Sequence, residues 1–418
     1  MIKFQMTLWI NRLKNLNFLE EILVIFLIFS LGFLIGIFGI EKANFKVFDE
    51  FYFIDQAKNY LKKEEFFDGH PPLAKLIFAL LLKISGWPEK ENYFLPRILF
   101  LFFSSFLGIL GYILIKIISK DKDWATISGV LLNTETALLF FRKFLLLEIV
   151  WINFSLLALI FLLKNKKNLF FIFWGLGISV KWFSILFIIF PFFYFIKNFK
   201  KEELILGFIL IFLIYFLVFE IHYGFFLDKK GLEFIFLSIK KFIKDNFEMF
   251  INHSAPTYFC YPLASFVLGW PFGIKNISSA FDIFPNILLW NLSLFFILKV
   301  LLDNFKKNKK YSFVIYFFTL SYISYFLFLI LIEYLRPGFL YYYFGSLIFA
   351  IFILSYFVKE KPILLFSIII LNTFLLPKIS GYEFFEFEKP IYKILLNYME
   401  YGNILFRNLG IILKFGWF

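Results

Sequence analysis

The chain has 418 residues, of which 61% are hydrophobic and 24% are aromatic, and its formal net charge is +13. Soluble domains are about 45–50% apolar, so the composition excludes an ordinary soluble domain and is typical of a chain that crosses a membrane many times. The lysines lie between apolar runs, which indicates membrane orientation rather than nucleic-acid binding. Cys260 is the single cysteine, which excludes an intrachain disulfide.

Apolar runs predict an all-α polytopic membrane protein with about eleven spans. The predicted spans cover residues 18–40, 97–117, 124–141, 145–163, 168–180, 182–196, 203–223, 283–303, 311–332, 338–357 and 362–377. No small-residue cleavage site follows the first run, so we predict a span and not a cleaved signal. The fifth and sixth runs are shorter than the ~20 residues that a straight span needs. One bent element around Lys181 is the alternative for these two runs.

Lysine-rich connections recur at alternate ends of the predicted spans. With the N-terminus in the cytoplasm, every short inner loop is lysine-rich, as the positive-inside rule requires. The lysines of these loops are Lys116, Lys120, Lys122, Lys164, Lys166, Lys167, Lys197, Lys200, Lys201, Lys306, Lys307, Lys309, Lys310, Lys359 and Lys361. Merging spans five and six would reverse every later loop, so the charges favour eleven. We predict a multi-pass protein of the cytoplasmic (inner) membrane.

Two long loops, 41–96 and 224–282, then lie outside the membrane, followed by an outer tail, 378–418. The stretch 390–413 is apolar and aromatic with scattered charges, so we predict that it lies along the membrane interface. We predict a single integral membrane domain over residues 1–418 with no separate soluble domain. The lipid bilayer is its expected partner, and nucleic acid is not.

Acidic residues are concentrated in the first outer loop. They are Glu41, Asp49, Glu50, Asp55, Glu64, Glu65, Asp68, Glu89 and Glu91. Asp49 and Glu50 are adjacent and follow the first span closely. A carboxylate in this place can accept a proton from an attacking hydroxyl while its neighbour positions a substrate. An isolated pair of this kind is more often part of a solvated loop, so the surrounding motifs decide its interpretation.

Residues 68–75 read Asp-Gly-His-Pro-Pro-Leu-Ala-Lys. The two prolines restrict the backbone, and the apolar run 76–82 that follows predicts a helix at the membrane interface. Such a corner can hold the loop against the helix bundle. His70 and Lys75 are therefore candidate substrate-binding residues, and we expect His70 to position the loop rather than to catalyse. A plain turn into an amphipathic helix is the alternative.

Several cations stand at the predicted outer ends of helices, against the positive-inside bias. They are Arg97, Arg142, Lys143, Lys181 and Arg336. Cations in this position can bind the phosphate of a lipid-linked donor and stabilise the charge that develops as its bond breaks. The alternative for most of them is snorkelling at the interface.

Glu148 is an acid within a predicted span, where a carboxylate is costly and usually functional. We expect Glu148 either to pair with Arg142 or Lys143, or to point into the same cavity as Asp49. Glu220 and His222 near the outer end of span seven are expected to be structural. The sequence has no HExxH, no paired CxxC and no P-loop, so we expect no metal and no cofactor beyond an activated, lipid-borne donor.

Taken together, these motifs resemble those of the protein O-mannosyltransferases, polytopic enzymes of the GT-C glycosyltransferase fold. The matching residues, in family order, are 48–51, 66–75, Arg97 with Gly108, 142–148, 175–177 with Lys181 and Trp182, Ser265 with Trp270 and Pro271, Pro285 with Asn286, and 339–343. The stretch Phe-Phe-Asp-x-His-Pro-Pro-Leu-x-Lys at 66–75 is the most specific.

The resemblance implies that mannose is transferred from a polyprenyl-phosphate mannose to Ser or Thr hydroxyls of translocated proteins, with inversion at the sugar. It implies that Asp49 is the general base, that Glu50 helps to hold the acceptor and that Arg97 contacts the donor phosphate. It implies no metal. Secreted or membrane proteins are the expected acceptors, and the secretion machinery is a further candidate partner.

The chain departs from the family pattern at two positions. Glu148 stands where the family usually has Asp, and Tyr342 stands where it usually has His. The lumenal β-trefoil domain of the eukaryotic enzymes has no counterpart here, so we expect a short, prokaryotic-type member.

Two other functions fit parts of the pattern. A related GT-C transferase would use a lipid-linked sugar, mannose or another, to modify a glycolipid or a cell-wall glycan. A transporter or flippase would also have many spans and a buried acid. Transporters usually show inverted repeats and polar sites at mid-membrane, whereas the polar residues here gather at one face.

Overall fold

A computed structural model describes residues 2–43, 45–88, 92–254, 267–272, 285–306, 311–335 and 339–379, together with positions 394, 397, 398 and 401. Side chains are described from Phe18 onward within these ranges, except at positions 253–254, 334–335 and 377–379. Within these ranges the regular secondary structure is entirely helical. The predicted all-α class is therefore confirmed.

The first half of the described chain contains eight α-helices. They are α1 (Ile2–Ile37), α2 (Glu50–Lys62), α3 (Leu73–Ile84), α4 (Phe94–Ser104), α5 (Phe106–Ser119), α6 (Lys122–Thr134), α7 (Thr136–Lys143) and α8 (Leu147–Leu163). The remainder contains eight more. They are α9 (Lys167–Ile178), α10 (Phe183–Phe195), α11 (Lys201–Gly224), α12 (Gly231–Ser254), α13 (Ile287–Phe305), α14 (Phe313–Leu335), α15 (Phe344–Val358) and α16 (Pro362–Ile379).

Six helical segments of the described chain are long and apolar enough to cross a membrane. They are Phe18–Lys42, Phe94–Ser119, Lys201–Gly224, Ile287–Phe305, Phe313–Glu333 and Leu340–Val358. Helices α6 and α7 meet the same test together, with a bend of 59° between them, and α8, α9, α10 and α16 are shorter apolar helices. A multi-pass membrane protein is confirmed, and the exact count of eleven spans stays a prediction.

Spans five and six are two helices, α9 and α10, and residues 179–182 separate them. The break follows a glycine-rich helix end, where the backbone N–H of Lys181 donates to the carbonyl of Gly177 at 3.0 Å. Because Lys181 lies in this break, its side chain leaves the backbone between two helix ends. The break therefore places a cation among the loops of one end of the bundle.

The first outer loop is partly helical, as predicted, and its helices α2 and α3 pack against each other. Helix α2 ends at Lys63, which has a left-handed φ of 61°. Pro72 precedes α3, and the N–H of Leu73 donates to the carbonyl of Ser179 at 3.1 Å. This bond ties the proline corner to the α9–α10 break.

The second outer loop begins with α12, a 24-residue helix that the sequence analysis did not predict. A short 3-10 helix, Val267–Phe272, follows within the same loop. Cys260, Arg336 and the interfacial stretch predicted over 390–413 lie outside the described residues, apart from isolated positions in that stretch. The predictions for them stay predictions.

Candidate active site

The turn before α2 sets the position of Asp49. Phe48 has a left-handed φ of 54°, and its ring packs at 5.8 Å from the ring of Phe141 and 5.7 Å from that of Tyr341. The carbonyl of Asp49 then accepts the N–H of Tyr52 at 3.0 Å, which starts the helix. The aromatic contacts thus fix the backbone from which the Asp49 carboxylate projects.

Asp49 is partly buried, and its carboxylate is hydrogen-bonded to the side chain of Tyr341. The pKa of Asp49 is raised to about 7, chiefly by burial and then by the nearby negative charge of Glu148, while the positive charge of Lys181 and the hydrogen bond with Tyr341 lower it. A carboxylate with a pKa near neutral can accept a proton and release it again at working pH. Asp49 therefore has the properties of a general base.

Glu148 forms an ion pair with Lys181, with 2.7 Å between Oε1 and Nζ. It pairs with this lysine rather than with Arg142 or Lys143, and it lies close enough to Asp49 to influence its pKa. The Lys181 ammonium lies 4.8 Å from the ring centre of Tyr341 and 5.2 Å from that of Tyr342. Two carboxylates, one ammonium and aromatic rings therefore converge beside the N-terminus of α2.

Glu50 and Arg97 form a second ion pair, and both side chains are fully buried. Arg97 donates to Glu50 Oε2 through Nη2 at 2.6 Å and to Oε1 through Nε at 3.1 Å. The backbone N–H groups of Val47 and Leu145 also donate to this carboxylate, at 2.8 and 3.0 Å. Both oxygens of Glu50 are therefore occupied from within the chain.

Two further Arg97 donors go to backbone carbonyls. Nη2 donates to Phe45 at 2.7 Å and Nη1 donates to Ala43. The ring of Phe144 lies 5.0 Å from the guanidinium carbon. Arg97 thus fastens the start of the first outer loop to α4, and the expected contact with a donor phosphate stays a prediction.

Arg142 and Lys143 are buried at the end of α7. Arg142 donates to the carbonyls of Asn133 and Gly32 at 2.6 and 2.8 Å and to the hydroxyl of Ser105 at 3.0 Å. Lys143 donates to the carbonyl of Phe38. These cations hold the broken span α6–α7 against its neighbours, and the structure does not bring them together with Asp49.

His70 and Lys75 lie at the proline corner. Lys75 is buried, forms an ion pair with Asp68 and donates to the carbonyl of His70. A small, partly open pocket lies beside them. It is lined by Phe66, Phe67, Asp68, His70, Pro72, Lys75, Phe219, His222, Asp245 and Met249. The negative charge of Asp68 also acts on Asp49, so this cavity is a neighbour of the Asp49 cluster.

Glu135 is a buried acid that the sequence analysis missed. It lies at the 59° bend between α6 and α7. Its carboxylate accepts from the N–H of Leu138 at 2.8 Å, from the indole of Trp290 at 2.9 Å and from the N–H of Asn286 at 3.2 Å. The rule that singled out Glu148, an acid within a predicted span, would have found it. Its hydrogen bonds join the bend between α6 and α7 to the start of α13.

The structure thus brings Asp49, Glu148 and Lys181 together with Tyr341, and it places Glu50 with Arg97 behind them. Arg336 lies outside the described residues. In the described ranges no three His, Cys, Asp or Glu side chains are grouped as metal ligands.

Comparisons with known proteins show which family and which fold the chain resembles. Residues 26–225 match the family described as dolichyl-phosphate-mannose-protein mannosyltransferase. Dolichyl-phosphate-mannose–protein mannosyltransferase 6 of Candida albicans is 29% identical over 142 residues, which cover 31% of this chain and 17% of the relative. Mannosyltransferase 4 of Schizosaccharomyces pombe is 39% identical over 75 residues, covering 18% of this chain and 10% of the relative.

Mannosyltransferase 1 of Saccharomyces cerevisiae is 28% identical over 149 residues, covering 32% of this chain and 18% of the relative. The matches therefore span less than a fifth of each of these relatives. Among solved structures, a chain of the S. cerevisiae protein O-mannosyltransferase Pmt1–Pmt2 complex bound to the sugar donor superimposes with a TM-score of 0.71 at 13% identity. The superposition covers 87% of this chain and 90% of the other, and it shows the predicted GT-C fold.

Proposed function

Because the chain belongs to the protein O-mannosyltransferase family, we propose that it transfers mannose from a polyprenyl-phosphate mannose to Ser or Thr hydroxyls of proteins at the outer face of the membrane. The observation that carries this proposal is the cluster of Asp49, Glu148 and Lys181. In it, a carboxylate whose pKa is about 7 lies near a buried ammonium.

The proposed reaction needs one base and one cation. Asp49 takes the proton of the acceptor hydroxyl while the hydroxyl oxygen forms a bond to the anomeric carbon of mannose. The bond between that carbon and the phosphate oxygen breaks, and polyprenyl phosphate leaves with the bonding electrons. Attack opposite the leaving group inverts the configuration at the sugar.

Lys181 is the proposed phosphate-binding residue. Within the described residues its ammonium donates one hydrogen bond, to Glu148, so donors remain for a phosphate oxygen. The rings of Tyr341 and Tyr342 restrict its position. A cation that is already fixed in a partly dry site stabilises the leaving phosphate without a reorganisation cost.

For Glu50 and Arg97 we propose a positioning role. Their hydrogen bonds hold residues 43–50 against α4 and the segment before α8. This attachment fixes the turn that carries Asp49. The family roles expected for these two residues, in acceptor and donor binding, would require them to exchange contacts that they already make.

We propose that the protein is a single membrane domain in the cytoplasmic membrane, with its N-terminus inside and this site outside. The Lys-rich connections support that orientation. The donor is a substrate that arrives already activated, so the proposed reaction uses no cofactor. Secreted or membrane proteins are the proposed acceptors, and the secretion machinery is a proposed partner.

A reconstituted transfer assay tests the proposal. Purified protein in lipid vesicles is offered labelled polyprenyl-phosphate mannose with a Ser/Thr peptide, and in parallel with a glycolipid acceptor. We expect label on the peptide that depends on its hydroxyl residues. Label on the glycolipid alone would show that the acceptor is a glycolipid and not a protein. Movement of the donor across the bilayer with no product in either arm would indicate a flippase.

A further inference from the structure

Helix α12 in the second outer loop has a continuous apolar stripe on its surface. The stripe consists of Leu232, Phe236, Ile239, Ile243, Phe247 and Phe250. Their spacings of four and three residues place them on one helix face. All are exposed, with Phe236 at 74% and both Ile243 and Phe247 at 64%. Yet α12 is not among the helices long and apolar enough to cross a membrane.

A second face of α12 is held against α11. The hydroxyls of Tyr215 and Tyr223 donate to Asn246 and Asp245 at 2.6 and 2.9 Å. The ring of Phe242 packs 5.2 Å from that of Phe219. These polar and aromatic contacts fix the rotation of α12 about its axis, so the direction in which the stripe points is set by the fold.

A third face of α12 is basic. Lys240 and Lys244 are exposed beside the stripe, and Lys244 has Glu248 3.6 Å away, one turn along. Lys241 forms an ion pair with Glu65 of the first outer loop. An apolar stripe flanked by lysines is the pattern of a helix that lies in the plane of a membrane interface.

The stripe is next to a surface that already faces lipid. Span α11 exposes Phe212, Leu213 and Leu217 along its outer side, and the ring of Phe212 lies 6.3 Å from that of Phe242 on α12. Large contiguous apolar surfaces are rarely left in water. The stripe of α12 therefore continues the lipid-facing surface of α11.

We propose that α12 is an interfacial helix, which lies along the outer leaflet with its apolar stripe among the acyl chains and Lys240 and Lys244 at the level of the lipid phosphates. The face held against α11 also carries Asp245 and Met249, which line the cavity beside His70. The placement of α12 in the membrane interface thus positions one wall of that cavity. The inference is independent of the transferase activity proposed above.

Spin-label depth measurements in lipid vesicles test this placement. The full chain with Cys260→Ser supplies a cysteine-free background, and single cysteines are introduced as Ile243→Cys and Phe247→Cys. The matched controls on the same helix are Lys240→Cys and Lys244→Cys. All four positions are exposed, so the labels do not disturb packing. Collisions with oxygen report lipid, and collisions with a neutral nickel chelate report water.

We expect an oxygen-to-nickel collision ratio several-fold higher at 243 and 247 than at 240 and 244. Equal ratios at all four positions would place the stripe in water and overturn the proposal. Dipolar broadening between labels at 243, relieved by dilution with unlabelled protein, would show that a second copy covers the stripe instead, and it would overturn the proposal as well.

Discussion

Two buried acid–cation pairs lie near the start of the first outer loop, and they differ in what remains available to a substrate. Glu50 and Arg97 are fully buried, and their polar atoms are bound to each other and to backbone groups. Glu148 and Lys181 are almost as buried, but one 2.7 Å bond joins them and the charge of Asp49 stands nearby. The first pair fixes the loop, and the second keeps binding capacity.

The difference between the two pairs indicates that one holds the loop in place and that the other can take part in the reaction. The Glu50–Arg97 pair would have to give up existing bonds to take a phosphate or a hydroxyl, because both Glu50 oxygens and four Arg97 donors are already engaged. A pair with one bond, beside a third charge, can exchange partners when an anion arrives. Residue type and sequence position do not distinguish the two cases, because both pairs join an acid to a cation near the end of a helix.

The largest expected effect follows from breaking the first pair. Arg97→Ala leaves the Glu50 carboxylate buried without its cation, and such a loss costs about 3–5 kcal/mol. We expect a strong decrease in stability in detergent, measured by thermal or denaturant unfolding. Activity should be lost through unfolding or displacement of the turn at Asp49.

The double variant Arg97→Met with Glu50→Gln serves as the control, because it removes both charges. It should recover a large part of the stability. If Arg97→Ala kept wild-type stability and instead weakened donor binding alone, the positioning role would be wrong and the donor-phosphate role would be favoured.

The next effect comes from the second pair. Lys181→Met removes the ammonium and keeps the length of the side chain. A hydrogen bond to a charged group contributes about 1.5–3 kcal/mol, so we expect donor binding to weaken by roughly tenfold to a hundredfold. We expect a smaller stability loss than for Arg97→Ala, because Lys181 makes one hydrogen bond where Arg97 makes four.

Lys143→Met is the matched control for Lys181→Met, since Lys143 is also a buried lysine and donates to a backbone carbonyl. Folded Lys143→Met protein should keep the donor KM of the unmodified chain. Equal losses of donor affinity in the two variants would remove the special role of Lys181.

The smallest effect is a displacement of the pH profile. Asp49 acts as a base when deprotonated, so the rate should rise with pH through a midpoint near its pKa of about 7. Glu148→Gln removes a negative charge that raises this pKa and frees Lys181 to lower it. The midpoint of kcat/KM should move to lower pH by about 1 unit. A midpoint that stayed in place or moved to higher pH would contradict the coupling of Glu148 to Asp49.

Much of the fold was predictable because apolar length and lysine placement are strong signals in membrane proteins. The breaks in the helices were harder to predict from the sequence. The α9–α10 break was expected at Lys181. The bend at Glu135 was missed, although the polar residues 133–136 interrupt the apolar run there and the Glu135 carboxylate caps the start of α7. Helix α12 was missed because a long loop was expected in its place.

The site was predictable in its residue types but not in its pairings. Asp49, Lys181 and Glu148 were all candidates, yet the partner of Glu148 lies 33 positions away along the chain. Arg97 also donates hydrogen bonds to the backbone carbonyls of residues 43 and 45. No pattern of side chains in the sequence reveals these bonds. Hydrogen bonds to the backbone are set by tertiary geometry, and they decide which charges remain available.

Asp49 is the proposed base of the sugar transfer, and Asp49→Asn tests this role. Asp55→Asn, in the helix α2 that begins just after Asp49, is the matched control, since Asp55 is exposed and paired only with Lys46 among the described ion pairs. We predict that, in vesicles with labelled polyprenyl-phosphate mannose and a Ser/Thr peptide, Asp49→Asn loses about 10²–10⁴ in kcat while donor binding persists and Asp55→Asn stays active. Near-normal turnover by Asp49→Asn would contradict the account.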